Sequence, residues 1–121
     1  MKPAILIVED DPSTRLLLVT LLKRLGAECV VAPNGAEAMV LLRERAFDLI
    51  ILDLMMAGVS GYDVIAFLQA EGRRERVIVC TAAGPRSTAE LDRSIVRAVV
   101  TKPFDILEFT AIVDHHLKTG E

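Results

Sequence analysis

Five short apolar runs punctuate the chain, and between them the hydrophobic period changes from continuous to helical. The first run, Ala4-Ile5-Leu6-Ile7-Val8, has no polar alternate and ends in Glu9-Asp10-Asp11. Such a run suits a strand covered on both faces. The others lie at Glu28 to Val31, Phe47 to Leu52 (ending at Asp53), Val77 to Cys80 (ending at Thr81) and Ala98 to Thr101 (ending at Lys102-Pro103).

The intervening segments read as helices. Asp11-Pro12 predicts an N-cap followed by Pro at the first helical position, where its missing N–H costs nothing. That helix carries Leu18, Leu21, Leu22 and Leu25 on one face, and Gly26 ends it. Asn34-Gly35 opens a second, with Ala38, Leu41 and Leu42 as its stripe. The loop from Ala57 to Gly61 leads to a third, reaching Glu71 through Val64, Ile65 and Leu68. Arg86 to Arg93 predicts a fourth. Asp105 and Glu108 have capping-box spacing for a last helix, with Ile106, Phe109, Ile112, Val113 and Leu117 facing inward. Five strands each followed by a helix predict an α/β fold: a doubly wound (βα)5 parallel sheet with helices on both faces. The expected strand order is the flavodoxin-like 2-1-3-4-5. No linker or repeat interrupts the pattern, so residues 1–121 are expected to form one domain.

Charge and hydropathy narrow the function. The net charge of -3 argues against direct nucleic-acid binding, whose footprint is basic. No stretch reaches the ~18 uninterrupted apolar residues of a membrane span. The Met1–Ile5 start turns acidic too soon for a signal peptide, so a cytoplasmic location is expected. Cys29 and Cys80 lie inside apolar runs and are expected to be buried, reduced thiols. The hydrophobic share, 52%, is high, so either both faces of a sheet are buried or some apolar surface meets a partner.

In an open α/β sheet, ligands bind beyond the carboxyl ends of the strands, near the reversal of strand order. Glu9-Asp10, Asp53, Thr81 and Lys102 all fall there. Carboxylates gathered within ~5 Å repel unless a cation joins them. Oxygen donors are hard, so the matching cation is Mg²⁺, ahead of Ca²⁺ or Mn²⁺. With Lys102 as a second positive charge and Thr81 as a neutral donor, the set can neutralise a phosphoryl group seated on Asp53.

These residues resemble the receiver domain of two-component response regulators over essentially the whole chain. Glu9-Asp10 is similar to the family's metal-binding pair, Asp53 in Leu52-Asp53-Leu54-Met55-Met56 to its phosphoacceptor, Thr81-Ala82 to its switch hydroxyl, and Lys102-Pro103-Phe104 to its lysine motif. The resemblance implies a phosphoryl group donated to Asp53 by a phosphohistidine on a sensor histidine kinase or histidine phosphotransfer protein. It implies Mg²⁺, with Mn²⁺ as a substitute, held by Asp10, Asp53 and the Met55 backbone carbonyl, with Glu9 acting directly or through water. Phosphoryl oxygens fall to the Thr81 hydroxyl, the Ala82 N–H and Lys102, and the Lys102-Pro103 bond is implied to be cis. The chain is then a regulatory domain that assists its own phosphorylation and dephosphorylation. Departures from the family are Ala57 in place of a usual Pro, Ser60 in place of an Asp, Ile95-Val96 in place of Gly-Ala, and Val99 in place of the switch aromatic. Valine has a stiff χ1 and no ring to swing, so Val99 is an atypical switch position.

Other groups have plainer readings. His115 and His116 point about 100° apart on a helix and suit a surface. Arg73, Arg74 and Arg76, interrupted by Glu75, read as a solvated turn. The Gly58/Gly61 loop lacks the Lys-Ser/Thr of a Walker motif and is expected to let backbone approach the phosphoryl site. Leu16, Leu17, Val19, Leu107, Ile95 and Val96 have no evident core slot. A docking or homodimer face is therefore expected on the fourth helix, fifth strand and fifth helix, with Val99 central. Two alternatives remain. A haloacid dehalogenase-type phosphatase needs an Asp where Met55 stands, and an interaction module on a receiver scaffold would not switch with phosphorylation. The chain is either a stand-alone regulator or part of a longer protein such as a hybrid kinase.

Overall fold

The structure is a computed structural model and describes residues 2–119. Its elements are β1 (Ala4–Val8), α1 (Pro12–Arg24), β2 (Glu28–Ala32), α2 (Gly35–Glu44), β3 (Leu49–Leu52), α3 (Gly61–Ala70), β4 (Arg76–Thr81), α4 (Pro85–Thr88), β5 (Val96–Thr101) and α5 (Ile106–Thr119). All strand pairs are parallel and the order is β2-β1-β3-β4-β5, as the alternation of runs predicts.

Strand residues point alternately to the two faces, and this sorts the apolar runs into two cores. Leu6, Val8, Ile50, Leu52, Val77 and Val79 pack with Ala38 and Leu42 of α2 and Val64, Ile65 and Leu68 of α3. Ile5, Ile7, Leu49, Ile51, Ile78 and Cys80 pack with Leu18, Leu21 and Leu22 of α1 and Phe109 and Val113 of α5. Asp11 caps α1 by accepting the Thr14 N–H, Gly26 beyond its end has φ +85, and Asn34 caps α2, as their sequence signals predict. Ser60 and Asp63 add a reciprocal capping box on α3.

Several expectations need correction. The fourth helix is one turn, Pro85–Thr88, rather than Arg86 to Arg93. Downstream, the Asp92 carboxylate accepts the Ser94 N–H and hydroxyl, a local turn that competes with helix. Ile95 and Val96 are buried, because β5 starts at Val96 and the Ile95 carbonyl accepts the Val77 N–H. Ile106 stands exposed at the start of α5 instead of facing the core. Cys29, on the edge strand β2, is only half-buried, whereas Cys80 is buried; both are free thiols. The Arg-rich turn is not simply solvated. Glu75 is buried and pairs with Arg73 at 2.5 Å while accepting the Phe47 N–H at 3.1 Å. Arg73 also donates to the Leu42 and Arg45 carbonyls, and Arg76 to the carbonyls of His116 and Asp48. This network ties the C-terminal end of α2 to the starts of β3 and β4.

Candidate functional site

Strand register assembles the site. Val8 pairs with Leu52, so the next residues, Glu9 and Asp53, leave neighbouring strands at the same level. The Asp53 N–H donates to the Val8 carbonyl at 3.0 Å, and the Glu9 N–H to the Ala32 carbonyl at 3.2 Å. On the other side Thr81 pairs with Thr101, and the Lys102 N–H donates to the Thr81 carbonyl at 2.8 Å. The peptide bond between Lys102 and Pro103 is cis.

The Lys102 Nζ donates to Glu9 Oε1 at 2.5 Å and to Asp53 Oδ2 at 3.2 Å. Residues 93 positions apart in sequence, one following β1 and the other β5, thus meet with β3 and β4 between their strands. Glu9 Oε2 accepts the Asp11 N–H, and Asp53 Oδ1 accepts the Met55 N–H, each at 3.1 Å. Glu9 and Asp53 are buried, while Asp10 is exposed at the mouth. Burial pushes the Glu9 carboxyl above its ordinary range, and its hydrogen bond to Lys102 pulls it back only in part. Burial works against the Lys102 ammonium too, yet the hydrogen bond and charge of Glu9, with Asp53 behind them, more than offset it and hold Lys102 above its ordinary value.

Ligand oxygens of Glu9, Asp10 and Asp53 lie within 4.8 Å of one another. One ammonium faces three carboxylates, so the mouth keeps an anionic excess, and an all-oxygen donor set fits a hard divalent cation. Beside it, Thr81 is fully buried and its Oγ1 accepts the Ala83 N–H at 3.2 Å; Ala82 between them is exposed. Gly61 closes the site from the α3 side. A Cβ there would stand 2.4 Å from the Asp53 carbonyl oxygen, so the close backbone approach expected of this loop is real at Gly61. Gly58 serves differently, with φ +75.

Val99 lies away from this cluster, in β5 opposite Val79, half-buried against the core. His115 and His116 contact each other on α5, remote from the carboxylates in the fold. Sequence reasoning missed Arg15. Its Nη1 donates to the Glu9 carbonyl at 3.1 Å and the Asp10 carbonyl at 3.4 Å, fixing the backbone that presents the acid pair. The available signal was an Arg one turn into the helix that follows those acids.

Comparison with known proteins gives concordant results. A family profile described as the response regulator receiver domain matches residues 5–114. The chain is 32% identical over 121 residues to the DNA-binding response regulator MtrA of Mycolicibacterium smegmatis, covering all of this chain and 53% of that protein. It is 37% identical over 126 residues to the phosphate regulon transcriptional regulatory protein PhoB of Rhizobium meliloti, covering all of this chain and 55% of that one. The chain thus spans about half the length of these curated relatives. Among solved structures, the response regulator TrrA of Thermotoga maritima, in complex with Mg²⁺-BeF, superposes with a TM-score of 0.83 at 32% identity, covering 95% of this chain and 98% of that one.

Proposed function

The chain belongs to the response regulator receiver domain family, and from that premise we propose that Asp53 is the phosphoacceptor of a two-component phosphorelay. One observation carries the assignment: the Lys102 ammonium sits between the buried carboxylates of Glu9 and Asp53, with the Thr81 hydroxyl at the end of the adjoining strand. A carboxylate so placed has a fixed cation ready for the charge that builds on a transferring phosphoryl group.

An Asp53 carboxylate oxygen forms a bond to phosphorus, the bond from phosphorus to the donor imidazole nitrogen breaks, and the released imidazole takes a proton from solvent. Lys102, the Thr81 hydroxyl and the Ala82 N–H hold the phosphoryl oxygens. Asp10, Asp53 and the Met55 carbonyl, with Glu9 directly or through water, would hold Mg²⁺, which Mn²⁺ replaces with the same donors. When bound, the ion would supply positive charge that offsets the negative charge gathered at the site. TrrA, solved with Mg²⁺-BeF, supports an ion and an anionic group together in a fold of this kind. The phosphoryl group stays on the chain until water removes it, which makes the domain a regulator rather than an enzyme acting on an outside substrate. The donor is a sensor histidine kinase or histidine phosphotransfer protein. Leu107, exposed on α5, supports a protein-docking or homodimer face over α4, β5 and α5, although burial of Ile95 and Val96 makes that face smaller than their apolar character suggests.

The dehalogenase-type phosphatase is set aside by family membership and by Met55 at its acid position. Intact mass after incubation with Mg²⁺ and a small acyl phosphate tests the reading. The wild type gains one phosphoryl group; Asp53→Asn and a metal-free control gain none. A wild-type chain that stays unmodified with every donor tried would leave the inert interaction module as the better account.

A further inference from the structure

A helix as short as α4 has no cooperative stability of its own, so its position depends on a few identifiable bonds. The Ser87 N–H donates to the Gly84 carbonyl at 3.0 Å, and Thr88 Oγ1 to the Pro85 carbonyl at 3.1 Å. Both lie within the segment. A third bond comes from outside: Tyr62, in the first turn of α3, donates its hydroxyl to the Ser87 carbonyl at 2.7 Å. That carbonyl belongs to a helix too short to satisfy it internally. At the other end the segment is attached to the site, where Thr81 Oγ1 accepts the Ala83 N–H. At 3.2 Å that bond is at the long limit for N–H···O. Re-aiming the Thr81 hydroxyl to donate to a phosphoryl oxygen makes the Ala83 N–H the contact given up.

We propose that Tyr62 is a latch that holds α4 in place while Asp53 is unmodified and opens when Thr81 turns from Ala83 to the phosphoryl group. The signal then surfaces between α3 and α4, not at Val99, whose β-branched side chain is half-buried against the core and has one preferred rotamer. The trigger rests on the reading of Asp53 given above; the latch itself does not.

Hydrogen exchange over residues 86–91 of the whole chain, a window that leaves out the Ala83 amide, tests both parts. Wild type and Tyr62→Phe are compared with and without Mg²⁺ and acyl phosphate, with phosphoryl occupancy taken from intact mass on the same samples. Phe keeps the ring and removes only the hydroxyl. A single hydrogen bond's net contribution corresponds to about fivefold in an opening equilibrium. Unmodified Tyr62→Phe therefore exchanges about fivefold faster than unmodified wild type. Phosphorylated wild type matches it, and phosphorylation adds nothing further in the variant. Equal exchange in the two unmodified proteins overturns the latch. A wild type that carries the phosphoryl group with unchanged exchange overturns its link to the site. If no phosphoryl group appears, the trigger falls together with the Asp53 reading, while the comparison of unmodified proteins still judges the bond.

Discussion

Cys80 occupies the position just before Thr81, packed in the core that α1 and α5 cover. Burial pushes its thiol from an ordinary 9.0 up to about 12. The unfolded chain ionises this thiol first, so the stability linked to it is complete below the unfolded value. That stability declines as pH rises toward the folded one, by about 1.4 kcal/mol per pH unit. From about pH 8 to about pH 10.5 the wild type is expected to lose about 2 kcal/mol through this group. Cys80→Ala removes that loss and adds a cavity cost that does not vary with pH. Urea midpoints at the two pH values check it, and an identical decline in both proteins would contradict it. At this scale the legible residues were those whose place follows from where an apolar run stops: Glu9, Asp53, Thr81 and Lys102. Arg15 and Tyr62 were illegible because their roles lie in carbonyls they reach only after helices have packed.

Between elements, the largest surprise is the turn before β4. Four charged residues in a row look solvated when read alone. The structure instead buries Glu75 and surrounds its Arg73 partner with the carbonyls of Leu42 and Arg45, which are remote in sequence. Removing one partner of a buried pair leaves an uncompensated charge and costs about 3 kcal/mol. Arg73→Met is therefore expected to lower stability by about that amount, whereas Arg74→Met, at an exposed neighbour, stays within about 0.5 kcal/mol of wild type. Chemical denaturation of both variants distinguishes them, and equal costs would mean the pair contributes nothing specific. α4 was misread for a related reason. Its polar sequence permits helix through Arg93, but the Asp92–Ser94 turn and the pairing of Val77 with Ile95 and Val96 claim those residues first.

For the molecule as a whole, the alternation of five apolar runs with helical segments was enough to predict a doubly wound parallel sheet, with 2-1-3-4-5 as its expected strand order; the sorting of those runs into two cores became visible only in the structure. The sheet also brought together acids and a lysine that sequence alone leaves far apart. Edge features were less legible. The exposure of Cys29 and Ile106 depends on which strand or helix end lacks a neighbour, and no local pattern carries that information. On the proposed reading one carboxylate, assisted by Mg²⁺ and Lys102, becomes an acyl phosphate. Borohydride reduces an acyl phosphate to an alcohol, so trapping followed by peptide mass mapping locates it. Homoserine at position 53, present with Mg²⁺ and absent without it, is the predicted result; reduction at Asp10 or Asp11, or at no carboxylate at all, would contradict it.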